Sequence, residues 1–444
     1  MISLKPPTLA IKQIMKKAIL LIIIFCTGFA SGHAQTSGTT AFDVNGIKVI
    51  FKPTSKNVVD VRLYFRGGVT NYPPSRAGIE DLAISCAVQC GTNKYPSNTL
   101  KDSCDAYGIS LSGASGYDYG YVQLNCISKY FNTGWNLFAD VVLNPVFEEN
   151  RVMLAKNKLI NASKTYLSRP DNQLHELVMR DAFVNTSYAV NPVGTEETLS
   201  SITSADLKNY YRTLLNKNKL FIVVVGNVTK QDLYEKILAN FDNIPAAPYE
   251  APDLKEPVFD GKRLITEDQQ LKINYVGAIM NAPRFGSMDY VPFRLATSGL
   301  GGNLYQYLRS MRNLTYNPST SIYSLRMPYF YINVSTNSPQ EVMDGIVNVL
   351  RRIQTNGYDD EWLTHIKNTY ITSSYINDQS ASAIAYNLGQ AEILGNWQYA
   401  DDLPQLVNMV TVEQMNRVIN TYVAGLKWYY LGNQEMAQSL KIPQ

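Results

Sequence analysis

A stretch in the middle of this chain is written again at its end. Ile202-Thr203 leads through Tyr211 into the apolar run Leu220–Gly226 and then Asn227. Val410-Thr411 leads through Ile419 into Lys427–Gly432 and then Asn433. Each copy reads as a threonine-capped helix, a short turn, a hydrophobic strand and a Gly-Asn stop. The offset is 208 residues at the threonines and 206 at the glycines, so the repeated unit is the size of a domain. The chain is therefore expected to be α+β, two duplicated copies of one unit of about two hundred residues.

The 444 residues are 45% hydrophobic and 17% charged, a globular composition. Net charge is +3, and about −1 once Lys5, Lys12, Lys16 and Lys17 are discounted with the N-terminal segment. A near-neutral chain has no general pull on phosphate, so nucleic acid is not an expected partner. The discounted segment has the layout of an export signal. Met15-Lys16-Lys17 is basic, residues 18–25 are a short apolar run, and Gly32-His33-Ala34 offers small residues where a signal peptidase reads. Residues 1–34 are expected to be a signal peptide cleaved near Ala34–Gln35, leaving the protein in the periplasm. No later stretch is long and apolar enough to span a bilayer, so no transmembrane segment is expected.

Strands are expected at 47–51 and 59–65 around a Lys/Asn turn, at 109–114 and 121–127 around Gly116-Tyr117-Asp118-Tyr119, and at 220–225. Residues 78–90 read as an apolar helix closed by Gly91, and 100–107 as a second helix. Pro245, Pro248, Pro252 and Pro257 space a stretch without periodicity, which reads as an extended linker. The expected organisation is an N-terminal domain at 40–244, a linker at 245–262 and a C-terminal domain at 263–444. In the second domain a strand is expected at 271–278, helices at 287–298 and 303–312, and strands at 319–325 and 329–335. Cys86, Cys90, Cys104 and Cys126 would remain after export. Disulfides, a zinc pair at Cys86 and Cys90, and buried free thiols are all open to them.

The segment Gly301-Gly302-Asn303-Leu304-Tyr305-Gln306-Tyr307-Leu308-Arg309, with Tyr316 seven residues on, is the main chemical feature of the second half. It reads as a glycine-opened helix whose last turn presents an arginine, followed by a tyrosine where a strand begins. A guanidinium fork and a phenol converging on one point suit a polarised carbonyl or the oxyanion it becomes. By spacing alone the same residues also fit a solvated Arg at a helix C-terminus.

With these elements placed, the sequence resembles the pitrilysin/insulinase-type (M16) metallopeptidase family, in its short two-domain branch. The resemblance covers nearly all of the chain after the leader. It is carried by 61–68 leading through Ala77-Gly78 to Gly91-Thr92, by Gly108-Ile109-Ser110-Leu111-Ser112-Gly113-Ala114 with Tyr117-Asp118-Tyr119, and by the Gly301 to Tyr316 segment. It implies duplicated α+β halves, each a mostly antiparallel sheet packed with helices, and a chamber for unfolded peptides enclosed by paired halves or paired subunits. Catalytic members carry His-x-x-Glu-His on the first helix, two zinc ligands one turn apart with the Glu as general base. Counted from Gly78, those positions hold Asp81, Ile84 and Ser85; counted back from Gly91, they hold Leu82, Ser85 and Cys86. The third ligand, a Glu ahead of a proline, falls at Asn161 or Ala162. Only His33, His175 and His365 occur, so a two-His helix site cannot be built.

The resemblance thus implies no cofactor on this chain and no catalytic residue of its own. Zinc is expected on a homologous partner with an intact His-x-x-Glu-His. Arg309 and Tyr316, flanked by Gly301 and Gly302, would bind unfolded peptide substrates across the chamber. The strand 109–114 corresponds to the edge on which catalytic members hold peptide. The alternative is a stand-alone peptide-binding or scaffolding protein with no catalysis.

Overall fold

A strand whose residues are all apolar must be covered on both faces, and Leu220–Gly226 is such a strand. In the computed structural model, which describes residues 38–443 apart from Asp260, Lys262 and Ala424, every residue of it is buried. The expected signal peptide lies outside the described residues. The first sheet comprises β1 (Thr40–Val44), β2 (Ile47–Pro53), β3 (Val58–Arg66), β4 (Ser110–Ser115), β5 (Tyr119–Ile127) and β6 (Leu220–Gly226), ordered β1-β2-β6-β3-β5-β4. The two strands expected around the Lys/Asn turn form, but they are not neighbours. β6 lies between them, parallel to β2 and antiparallel to β3. The interior slot goes to the strand with no polar face.

The second sheet repeats this arrangement. It comprises β7 (Leu264–Asp268), β8 (Asn274–Asn281), β9 (Ser319–Tyr323), β10 (Tyr329–Thr336) and β11 (Lys427–Gly432), ordered β7-β11-β8-β10-β9. β11 again enters between earlier strands, parallel to β7 and antiparallel to β8. The short β7 was not foreseen; its sequence LITED buries nothing fully. The fold is a duplicated α+β unit, as the repeat requires.

Eight helices frame the candidate site and join the two halves: α1 (Ile79–Gln89), α2 (Glu149–Leu167), α3 (Pro170–Ala182), α4 (Ser204–Leu214), α5 (Tyr290–Leu304), α6 (Asp360–Asn377), α7 (Ala381–Ile393) and α8 (Val412–Tyr422). The repeated threonines are caps. Thr203 starts α4 and Thr411 starts α8, each in a reciprocal capping box with the third helical residue.

Two equivalent helices are exchanged between the halves. α7, from the second half, lies on β3 and β6 of the first sheet, while α3, from the first half, lies on β8 and β11 of the second. Ala381, Ile384, Ala385 and Leu388 cover Ile50, Tyr64, Phe221, Val223 and Val225. The fit is closest at Gly389, where an added Cβ would stand 2.2 Å from the Tyr64 ring. At α3, Tyr429 donates to the Asp181 carboxylate at 2.8 Å and Asn333 donates to Asp171 at 2.9 Å.

Candidate functional site

The two glycines expected to open a helix do not. α5 runs unbroken through Gly299, Gly301 and Gly302 and continues as a π-helix over Tyr305–Met311. Gly301 serves a close approach instead, because a Cβ there would lie 2.8 Å from Thr320 Oγ1 on β9. Gly302 has room, its nearest neighbour being the Trp362 ring at 3.8 Å. The π segment is anchored by Leu308, wholly buried and set against Gly345. π-Helical turns of this kind often stand at functional sites.

Arg309 and Tyr316 are brought together. Arg309 lies on the π-helix, and Asn313 then takes a left-handed conformation (φ 51°) that turns the chain back. Tyr316 falls in the loop three residues before β9, not at the strand's first residue. The Arg309 guanidinium sits 5.2 Å from the centre of the Tyr316 ring, and its Nη1 donates to Asn313 Oδ1 at 2.8 Å. Tyr316 is 80% exposed, with exposed Tyr305 and Met311 nearby in sequence. The other guanidinium N–H groups have no acceptor among the described residues, and the Tyr316 ring lies against the guanidinium.

The helix that would carry a metal is packed shut. Gly78 leads into α1 at φ 86°, beside Val193, where a side chain would collide with the Val193 carbonyl. Asp81 and Ile84 are both directed at β4–β5. Asp81 Oδ1 accepts the Ser115 N–H at 2.7 Å. Ile84 fills a notch left by Gly113 and Gly120, either of which would strike it if it bore a Cβ. Ser85 is buried, as are Leu82 and Cys86 from the other counting. Asn161 and Ala162 are exposed on α2, which packs against α1.

Glu80 was not singled out from the sequence, yet it organises this region. It is wholly buried and accepts from Asn71 Nδ2 at 2.8 Å, Ser115 Oγ at 2.8 Å and Tyr210 OH at 2.5 Å. Burial pushes its carboxyl above the ordinary range despite those donors. Asp81 is pushed up to about 6, again by burial. An acid inside an apolar helix was the only signal for this network.

Among the described residues, no group of three or more His, Cys, Asp or Glu side chains is placed to hold a metal. His175 sits on α3 with Nε2 2.9 Å from Tyr329 OH and its ring stacked on Tyr323 at 5.0 Å. Burial holds it down to about 4. His365 lies edge-on to Trp362 on α6. All four described cysteines are free thiols.

Comparison with known proteins then decides the family. A model described as Insulinase (Peptidase family M16) matches residues 48–196, and one described as Peptidase M16 inactive domain matches residues 201–370. The chain belongs to the M16 peptidase family. It is 22% identical over 386 residues to the uncharacterized zinc protease YmxG of Bacillus subtilis, covering 84% of this chain and 92% of that one. It is 19% identical over 379 residues to the non-peptidase homolog YmxG of Helicobacter pylori, covering 83% and 87%. A solved peptidase M16 inactive domain from Pseudomonas fluorescens shares the fold with a TM-score of 0.81 at 19% identity, over 89% of this chain and 98% of that one.

Proposed function

We propose that this chain is an exported, periplasmic, non-catalytic subunit of a two-chain M16 zinc peptidase. A homologous partner with an intact His-x-x-Glu-His would supply the zinc and the general base. Arg309 and Tyr316 would supply hydrogen-bond donors to the backbone carbonyl of an unfolded peptide. The observation that carries this reading is the pairing of an accessible guanidinium and phenol on a chain whose metal-motif positions, Asp81 and Ile84, are packed against β4–β5. The relative named a non-peptidase homolog supports it.

Losing one donor to a developing oxyanion costs on the order of 3 kcal/mol of transition-state stabilisation. Arg309→Ala is therefore expected to lower the turnover of the assembled complex by roughly a hundredfold while leaving its thermal unfolding unchanged. Unchanged turnover in a complex shown to be assembled would remove Arg309 from the mechanism. A second reading, a peptide-binding or scaffolding protein without catalysis, draws on the Arg309–Asn313 bond, which gives the guanidinium an internal partner. Mixing the chain with a homologue bearing the intact motif separates the two. Peptide cleavage that neither chain shows alone belongs to the first reading only.

A further inference from the structure

An open cleft of about 610 Å³ lies where the edge of the first sheet meets the start of α7. Its polar lining is Ser110 of β4, Gln123 and Asn125 of β5, Ser382 of α7 and Lys56, with Val58 and Ala381 as apolar patches between them. Ser110 stands opposite Asn125 and Ser112 opposite Gln123 in the antiparallel register, so these side chains share one face. Beneath them Asp60 and Arg62 form a buried ion pair at 3.2 Å. Asp60 also accepts from Gln123 Nε2 at 2.5 Å and Asn125 Nδ2 at 3.0 Å, while Arg62 donates to Ser382 Oγ at 2.9 Å. The two charges under the cleft are thus neutralised by one another, and apart from the Lys56 ammonium the groups that line it are uncharged.

The inventory of unused groups narrows the ligand. Gln123 is committed: its amide nitrogen also donates to Ser382 Oγ at 2.9 Å, and its oxygen accepts from Ser112 at 3.2 Å. The Lys56 ammonium is tied to the carbonyls of Asp378 and Gln379. Asn125 uses one N–H on Asp60, and its other N–H, its carbonyl oxygen and the Ser110 hydroxyl have no partner among the described residues. An N–H beside a C=O is the complement of a second carboxamide. A carboxylate would leave the Asn125 oxygen facing another acceptor, and a cation would find the Lys56 ammonium in the lining and Asp60 already held by Arg62. An apolar group could rest on Val58 and Ala381 but would strip water from Asn125 without replacing its hydrogen bonds. β4 is also an edge strand, on which an extended peptide can add with alternate side chains turned to this face.

We propose that this cleft is a subsite for an uncharged carboxamide side chain, Asn or Gln, of an extended peptide held along β4. The inference rests on the reading that the chain holds peptide, but not on Arg309 or on any partner subunit. Its test is fluorescence anisotropy on the isolated chain, with fluorescein-labelled peptides that differ only in carrying Gln, Glu, Lys or Leu at one scanned position. The Gln peptide is expected to bind about tenfold more tightly than the other three at one position of the scan. Ser110→Tyr, a change at an exposed edge position that fills the cleft, should abolish that preference without altering thermal unfolding. Equal affinities throughout, no binding by any peptide, or a Gln preference that survives Ser110→Tyr would each overturn the subsite. Failure of the subunit reading appears elsewhere, as turnover indifferent to Arg309→Ala.

Discussion

Asp81 stands where one counting of the family motif puts a metal ligand, and here it behaves as a buried acid. Burial raises its carboxyl from 3.8 to about 6, opposed only by the Ser115 N–H. With the folded value above the unfolded one, protonation favours the fold; that contribution is complete below about pH 4 and is lost as pH rises through 6. Ionised Asp81 therefore costs the native state about 3 kcal/mol at neutral pH. His175 runs the other way. Burial depresses it from 6.5 to about 4, so its contribution is complete above 6.5 and is lost as pH falls through 4. Between those limits the two oppose each other, and single substitutions separate them. Asp81→Asn keeps an oxygen for the Ser115 N–H and should raise Tm above pH 6 while leaving it unchanged near pH 4. His175→Gln keeps a polar partner for Tyr329 and should raise Tm only on the acid side. Tm recorded across this pH range decides; a shift that is the same at every pH would mean that neither group titrates as described.

At the scale of helices and strands, the features legible in the sequence are those decided locally. Thr203 and Thr411 announce their helices because capping needs only the next three residues. Leu220–Gly226 announces a buried strand because it has no polar face. Its place between β2 and β3 was not legible, since that depends on which neighbours remain unpaired. Gly301 misled for a related reason: glycine marks either a break or a close approach, and only the position of Thr320 tells which. Arg309 and Tyr316 were visible as a spacing, but the left-handed turn at Asn313 that joins them was not. Glu80 stayed hidden because its three donors come from separate elements. The same distance-dependence yields a prediction for the exchanged helices. Gly389→Ala drives a methyl into a Tyr64 ring that is stacked on Phe221 at 4.9 Å, and overpacking of this kind costs about 1–3 kcal/mol. Gly277→Ala, on the equivalent strand under α3, meets its nearest side-chain atoms at 3.1–3.2 Å and should cost less. Urea denaturation of both variants checks the order, and a larger loss at Gly277 would contradict the packing described.

At the scale of the whole molecule, the exchange of α3 and α7 makes the duplicated units interdependent. The apolar face formed by Ile50, Tyr64, Phe221, Val223 and Val225 is covered by residues that come from beyond position 380. Around that face, Glu392 takes Lys48 at 2.8 Å and Arg66 at 2.6 Å, and Lys52 reaches Asp401 at 2.8 Å. The second sheet depends on α3 in the same way, through Leu174 beside Gly277 and Asp181 beside Tyr429. Sequence repetition would ordinarily imply two units able to fold alone; reciprocal covering implies that neither does. Cutting the chain within residues 245–262 is expected to give fragments that, expressed singly, lack a cooperative thermal transition, because each exposes a sheet face and leaves charges unmatched, Lys48, Lys52 and Arg66 on one and Glu392 and Asp401 on the other. Expressed together, they should associate and unfold in a single transition. Circular dichroism melts of the separate and mixed fragments check this, and a sharp transition from either fragment alone would mean that the exchanged helix is dispensable to its sheet. The same coupling bears on function. The cleft beside β4 has walls from both halves, so its shape is set only when α7 is docked, and a peptide seated there would hold the two halves together.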